Sequence, residues 1–112
     1  MTDCLFCRII KKEIPARIAF ENEDYLAFHD INPQAPVHVL IIPKRHVERV
    51  SFMSEAQNSE AGGLIITARN LAEQHGWNDF RLVINDGPQA GQTVDHVHLH
   101  LLSGRKLSWP PG

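Results

Sequence analysis

The sequence predicts one α+β domain in which a long helix covers a face of an antiparallel sheet. Several short segments have the alternating or concentrated apolar residues of strands, whereas only one segment, ending at His75, has long helical periodicity. Several connections between the predicted strands are too short for a crossover helix, which favours antiparallel pairing. A length of 112 residues is enough for one core, so residues 1–112 are expected to form a single domain.

The first half of the chain is predicted to contain a short helix and three strands. The helix covers residues 4–12 and ends before Pro15. Strands are predicted over residues 17–20, 25–30 and 37–42. Residues 31–36 form a loop in this prediction, because two prolines with Asn and Gln do not continue a strand.

The second half contains the one long helix, which starts at Ser54 or Ser59 and ends at His75. Ser54 with Gln57 resembles a capping box, and Gly76 is a plausible stop. Residues 62 and 63 are glycines, which would be explained by close packing against a neighbour. The residues predicted on the buried face are Ala61, Leu64, Ile65, Ala68, Leu71 and Ala72. A strand at 80–85, a loop at 86–93, a strand at 94–102 and an irregular tail follow.

Composition excludes several classes of protein. The formal net charge is −2, which is not that of a strongly basic nucleic-acid binder. The longest apolar run, residues 39–42, is far too short to cross a bilayer, and no signal peptide is visible, so we expect a cytoplasmic protein. The two cysteines are expected to be thiols or metal ligands rather than a disulfide framework.

Three histidines alternate with apolar residues near the end of the chain, at His96, His98 and His100. In a strand of period two, all three imidazoles point to one face, and Val97 and Leu99 point to the core. Chance does not readily place three of the seven histidines in register on one strand face, which disfavours a polar face without function. The two functional interpretations are a metal site and a cluster of acid, base and nucleophile.

The loop before this strand has features of a phosphate site. Gly87 and Gly91 allow positive φ angles, and the segment Gly91, Gln92, Thr93 can direct N–H groups and a hydroxyl toward an anion. Asn85 offers an amide just before the loop. A purely structural turn would look the same, so the loop gains meaning only beside the histidines.

The run His96 to Leu102 resembles the signature of the histidine triad family, His-x-His-x-His followed by two apolar residues. The resemblance to the nucleotide-binding branch of that family extends over residues 8–16, 27–36 and 91–94. It also includes the ending, with Gly104 and Arg105 followed by residues 109–112. It therefore covers nearly the whole chain.

This resemblance implies a homodimeric hydrolase that cleaves the P–N bond of purine nucleoside phosphoramidates. His98 would be the nucleophile that forms a nucleotidyl-imidazole intermediate, and neutral imidazole is a good nucleophile at pH 7. His96 and His100 would stabilise charge on the phosphoryl oxygens. His38 matches a fourth active-site histidine of the family and could orient a triad member.

The resemblance also implies a nucleoside site. The Asp30 carboxylate would accept both ribose hydroxyls, and Trp109 in the C-terminal tail would help complete the partner's site in the dimer. The apolar base pocket would be formed by Leu5, Phe6, Ile9, Phe28, Ile31 and Leu40. Taken one at a time, these apolar residues would be assigned to the core.

Two positions depart from the familiar pattern of the branch. Cys4 and Cys7 resemble the pair with which some histidine triad proteins bind zinc, and by position the other ligands would be His46 and His96. Two thiolates and two imidazoles suit a closed, structural zinc site; free buried thiols are the alternative. Asp95 stands where the family has a tyrosine, and it should face away from the histidines.

Two other functions stay open at this point. One is a nucleotide-binding partner protein with little catalysis. The other is a zinc metallohydrolase that uses the histidine strand itself, although three alternate histidines on one strand do not all converge on one ion.

Overall fold

Five antiparallel strands form one sheet in the computed structural model, which describes residues 4–112. The predicted α+β architecture is confirmed, with one long and one short helix. Residues 1–3 lie outside the described residues. The predictions that concern them, the start of the domain and the lack of a visible signal peptide, are therefore not addressed by the structure. The elements are α1 (Leu5–Ile10), β1 (Ile18–Glu21), β2 (Tyr25–His29), β3 (Val37–Pro43), α2 (Asn58–His75), β4 (Phe80–Ile84) and β5 (Leu99–Ser103). Their order across the sheet is β1-β2-β3-β5-β4.

The two faces of the sheet carry separate apolar clusters. Alternation along β2 sends Ala27 to one face and Leu26 and Phe28 to the other. The first face packs against α2 through Ala27, Val39, Ile41, Leu64, Ala68, Leu71, Val97, Leu99 and Leu101. The second packs against α1 through Phe6, Ile9, Leu26, Phe28, Leu40 and Ile42. The predicted inward direction of Val97 and Leu99 is therefore confirmed.

The start and the end of α2 agree with the sequence, but one face residue does not. Ser54 and Gln57 form the capping box of a 3-10 turn, Glu55–Gln57, that leads directly into α2 at Asn58, and Gly76 ends the helix with φ 74°. Ile65, predicted to be buried, is 50% exposed. Thr67 is buried instead, and its hydroxyl donates to a main-chain oxygen of the preceding turn, which satisfies this polar group. Among residues 4–112, none of the helices combines the length and the apolar composition of a membrane span.

Close packing explains one of the paired glycines of α2. A Cβ atom at Gly63 would overlap the hydroxyl of Tyr25, whereas a Cβ atom at Gly62 would meet nothing within 4 Å. Position 63 therefore requires a glycine because of the Tyr25 side chain, which belongs to β2 of the same chain. Tyr25 donates its hydroxyl proton to the main-chain oxygen of Glu60 at 2.7 Å, which holds the ring across the helix.

The last strand starts later than predicted, at Leu99 rather than at residue 94. The His96 N–H donates to the oxygen of Val94 at 2.9 Å, and the Val97 N–H donates to Val47 at 2.8 Å. These bonds form a turn and a contact with the segment after β3 instead of a ladder with a strand. His96 and His98 consequently both precede β5, and of the three histidines only His100 lies within it, so the prediction of one strand carrying all three is wrong.

Candidate active site

A cavity of about 280 Å³ opens on the α1 face of the sheet. It lies between α1, the end of β2 and the segment that leads into β5. Its lining is apolar on one side and carries histidines and a carboxylate on the other. The lining residues are Leu5, Phe6, Ile9, Ile14, Pro15, Ala16, Phe28, His29, Asp30, Ile31, Leu40, Thr93, Val94, His98 and His100.

His98 is held in one orientation at the inner end of this cavity. Its Nδ1 atom lies 2.7 Å from the main-chain oxygen of His96, and the side chain is buried. Because a carbonyl only accepts, Nδ1 carries the proton of the neutral ring and Nε2 has the free lone pair. The ring of Phe6 packs edge-on against it, with centroids 5.1 Å apart. The nitrogen available for nucleophilic attack is therefore Nε2.

Beside His98, the side chains of Asp30, His38 and His100 form a chain of contacts. The Nε2 atom of His38 lies 3.4 Å from a carboxylate oxygen of Asp30, and the rings of His98 and His100 are 5.0 Å apart. Burial, with smaller contributions from His98 and His38, lowers the pKa of His100 to about 4. Burial also lowers the pKa of His38, against the opposite effect of Asp30. Neutral imidazoles are thus favoured at pH 7 in this part of the site.

A second cluster brings together the four residues expected to bind zinc. The ligand atoms of Cys4, Cys7, His46 and His96 all lie within 4.8 Å of one another. The Nδ1 atom of His96 is 3.4 Å from the sulfur of Cys4, 3.7 Å from that of Cys7 and 3.1 Å from Nδ1 of His46. Two sulfur and two nitrogen donors are the set that tetrahedral zinc prefers.

The protonation of this cluster fits a cation. The Nε2 atom of His96 lies 2.8 Å from the main-chain oxygen of Pro43, so Nε2 carries the proton and Nδ1 offers its lone pair to the cysteines. Burial lowers the pKa of His96 to about 4. Burial and the neighbouring Cys4 thiol raise the pKa of Cys7 to about 11. A bound zinc ion would accept the converging lone pairs and would favour the thiolate form of Cys7, which burial disfavours.

The Asp30, His38 and His100 group also offers three possible ligand atoms within 4.8 Å of one another. The Nδ1 atom of His38 accepts from the Gln34 N–H at 3.0 Å, and its Nε2 faces His100. Hydrogen bonds thus account for both nitrogens of His38 without an ion.

The loop predicted to bind phosphate is tied down by its own side chains. The amide oxygen of Gln92 accepts from the Gly87 N–H at 2.7 Å, and its nitrogen donates to the main-chain oxygens of Glu48 and Val94. The Asp86 carboxylate accepts from the side chain of Arg49 at 2.6 Å. The main-chain N–H groups of Gly91 and Gln92 also bond within the loop, to the oxygens of Pro88 and Gly87. The segment predicted to direct N–H groups toward an anion therefore satisfies them internally, and Thr93 is its member that lines the cavity.

The cavity brings together most of the predicted substrate residues. Eight of them line it together with His98 and His100: Leu5, Phe6, Ile9, Phe28, Asp30, Ile31, Leu40 and Thr93. Four others do not belong to the lining: Asn85, Gly91, Gln92 and Trp109. Trp109 is 81% exposed. Two predicted catalytic histidines are also outside the lining: His38 contacts His100, and His96 directs its Nδ1 atom to the cysteines.

Sequence reasoning missed three neighbouring wall residues of the cavity, Ile14, Pro15 and Ala16, and also His29 and Val94. Residues 14–16 fall in the segment that follows α1, and Pro15 suggested only the end of a helix. Their position between two predicted elements offered no periodicity from which a cavity wall could be inferred. Asp95 is exposed and lies in the bend before β5, so the strand alternation from which its direction was predicted does not extend to it.

Comparisons with known proteins identify the relatives of this chain. The profile described as HIT domain matches residues 11–107. A HIT-like protein of Synechocystis is 50% identical over 111 residues, which cover 98% of this chain and 97% of the relative. A 14 kDa zinc-binding protein of Brassica juncea is 48% identical over 113 residues, covering 98% of this chain and 100% of the relative. A solved HIT family hydrolase of Legionella pneumophila is 46% identical, with a TM-score of 0.95, over 98% of this chain and 100% of that one.

Proposed function

The chain belongs to the HIT domain family, and from that premise we propose that it hydrolyses purine nucleoside 5′-phosphoramidates to the nucleoside monophosphate and an amine. This assigns the chain to the nucleotide-binding branch of the family, which residues 8–16, 27–36 and 91–94 and the C-terminal ending resemble. The enzyme would be an adenosine monophosphoramidase, with His98 as the nucleophile.

The orientation of His98 is the observation that carries this proposal. The bond from its Nδ1 atom to the oxygen of His96 leaves the Nε2 lone pair free. The cavity that His98 lines combines an apolar wall with a carboxylate and histidines, which suits a nucleotide. Attack of Nε2 on phosphorus forms an N–P bond and breaks the P–N bond to the amine, which leaves after accepting a proton. Water then cleaves the nucleotidyl-imidazole, which returns His98 to its neutral form.

The lining of the cavity supports a nucleoside as the bound group. Apolar side chains from α1, β2 and β3 form the wall against which a flat base would pack. Asp30, at the end of β2, is the carboxylate of the lining, and it would accept the hydrogen bonds of the ribose hydroxyls. The preference for a purine rests on the family resemblance.

Zinc is the proposed cofactor, with a structural role. Cys4, Cys7, His46 and His96 would hold it, and four protein ligands leave no open position for a substrate. When bound, the ion would supply folding free energy and fix these side chains. This arrangement does not favour the metallohydrolase alternative, because His96 is directed to the cysteines rather than to the cavity.

A homodimer is the proposed assembly. The strand β4 is an outer strand of the sheet, and Phe80 at its start is 38% exposed. A twofold axis beside β4 would cover this side chain and extend the sheet across both subunits. In that assembly, the tail with Trp109 would reach the partner's site.

Trapping the intermediate tests the proposal directly. The protein is mixed with fluorogenic AMP, GMP and UMP phosphoramidates, quenched during turnover and digested for mass spectrometry. A nucleotide adduct on the His98 peptide, formed and lost at the rate of turnover, is expected with the purine substrates. Binding of AMP without an adduct or turnover would instead identify a nucleotide-binding protein with little catalysis.

A further inference from the structure

The short helix α1 contributes residues both to the cysteine–histidine cluster and to the wall of the cavity. Cys4 caps its start and Cys7 lies in its first turns, so both thiols of the cysteine–histidine cluster belong to this one segment. Leu5, Phe6 and Ile9 of the same segment line the cavity. The ring of Phe6 lies 5.9 Å from that of His96 and 5.1 Å from that of His98. A movement of α1 would therefore change both sites at once.

The other half of the cluster is anchored independently of the thiols. His96 is fully buried, and its ring bonds to the oxygen of Pro43 at the end of β3. Its main-chain N–H bonds to Val94, and the next residue bonds to Val47. The bend that holds His98 thus has its own hydrogen bonds to the body of the protein.

The helix α1 has much weaker anchors of its own. It is 6 residues long, and helices of this length are not stable in isolation. Only Phe6 and Ile9 of the helix are buried against the sheet, and Leu5 is 44% exposed. The polar contacts of the two thiols with His46 and His96 are 3.4 Å or longer, and thiols are weak hydrogen-bonding groups.

We propose that a metal ion in the Cys4, Cys7, His46 and His96 cluster docks α1 against the catalytic bend and thereby sets the affinity for the nucleotide. The inference rests on the proposed function and deepens it. Because the bend is anchored separately, metal loss releases the cavity wall while the orientation of His98 is kept. The metal then controls substrate binding and leaves the chemical step at saturation nearly unchanged.

The size of the effect follows from the docked fraction of α1. If metal removal leaves α1 docked for about a tenth of the time, the apparent Kd for a nucleotide that needs the wall rises about tenfold. KM rises by the same factor, while kcat changes by less than about threefold, because only the docked form binds and reacts.

Calorimetric titration of the protein with AMP tests this inference. The wild-type chain is compared as zinc-loaded, zinc-stripped and zinc-restored protein at a temperature at which all three are folded. The expected result is an about tenfold weaker AMP Kd after stripping, reversed by restoration. Hydrogen exchange supplies a second readout: the Arg8 and Lys11 amides, bonded within the α1 segment, should exchange faster after stripping. The amides of β5 should not.

Two variants separate docking from general loss of stability. Cys7→Ser removes a ligand and should weaken AMP binding as stripping does, with no response to zinc. Leu71→Ala cuts the core on the opposite, α2 face of the sheet, and should lower Tm without changing the AMP Kd.

Each outcome bears on one proposal. Unchanged AMP affinity after stripping, equal exchange in α1, or failure of the wild-type chain to take up zinc would overturn the docking role. Loss of kcat with unchanged affinity would overturn it as well. If zinc-loaded wild-type protein does not bind AMP, the nucleotide site itself is refuted, which is a different failure.

Discussion

The Nε2 atom of His38 lies 2.9 Å from the Nδ1 atom of His100. Since Nδ1 of His38 already accepts from the Gln34 N–H, the neutral His38 ring carries its proton on Nε2 and donates it to His100. His100 then accepts at Nδ1 and carries its own proton on Nε2. His38 thus fixes the tautomer in which His100 is a donor, suited to a phosphoryl oxygen or to the leaving amine.

The lowered pKa of His100 predicts how stability depends on pH. In the folded chain the pKa is about 4, against 6.5 for the free side chain, so only the unfolded state binds this proton between those values. The contribution of His100 to the free energy of unfolding is then fully present above pH 6.5 and is lost progressively as the pH falls toward 4. His100→Asn should reduce this acid loss by an amount on the order of 1 kcal/mol. Urea unfolding over this pH range measures it, and parallel curves for the variant and wild-type chains would contradict it.

His98→Gly should abolish turnover of AMP phosphoramidates, by at least roughly a thousandfold, because it removes the nucleophile. AMP should still bind, since the carboxylate and apolar walls are unchanged. Steady-state kinetics and calorimetry check the two parts, with the exposed His75→Ala as a histidine control that retains activity. Residual turnover equal to that of His100→Ala would remove His98 from the role of nucleophile.

Local patterns predicted most of the fold. The period-two alternation at the end of the chain assigned Val97 and Leu99 to the core, and the Ser54–Gln57 capping box marked the turn that leads into α2. The bend at His96 could not be predicted in this way. It depends on a bond to Val47, far away in sequence, and a strand pattern continues through it without a break. Long-range contacts of this kind override local periodicity.

The candidate site divides along the same line. The histidine signature, Asp30 and the apolar wall could be named from the sequence because they resemble a known motif. The bonds of the Gln92 side chain to Gly87 and Glu48 could not be predicted, because they form only when the fold brings two loops together. The occupation of its amide shows why a polar residue in a glycine-rich loop is not by itself a ligand-binding residue.

Untagged protein should contain about one zinc ion per chain by elemental analysis. Chelation should lower Tm by more than roughly 5 °C, because metal binding to the folded state contributes folding free energy. The rate per folded molecule at saturating substrate should fall less. His46→Ala should show a low Tm with and without chelator. A metal-free wild-type protein, or an unchanged Tm, would reject the site.

Asp30→Asn should weaken the binding of AMP by about tenfold or more, since it removes a charged acceptor for the ribose hydroxyls. The control ligand is 2′,3′-dideoxy-AMP, which lacks both ribose hydroxyls. The variant and wild-type chains should bind it with similar affinity. Calorimetric titration of both ligands gives the four affinities. An equal loss for the two ligands would show that Asp30 acts through His38, which it approaches to 3.4 Å, rather than on the ribose.

Deletion of residues 108–112 should leave the protein dimeric but change its preference among leaving amines. The tail is held to its own subunit near its start, where Arg81 of β4 donates to the main-chain oxygen of Ser108 at 2.9 Å. Beyond this point Trp109 is 81% exposed, a large apolar surface that a partner's substrate would cover. Because β4 itself would form the interface, the dimer should survive deletion, and light scattering at micromolar concentration checks this. Trp109→Ala should reproduce the altered ratio of kcat/KM between aromatic and alkyl amine substrates. A wild-type monomer would refute the dimer, and an unchanged substrate profile in both variants would refute the part of the tail in specificity.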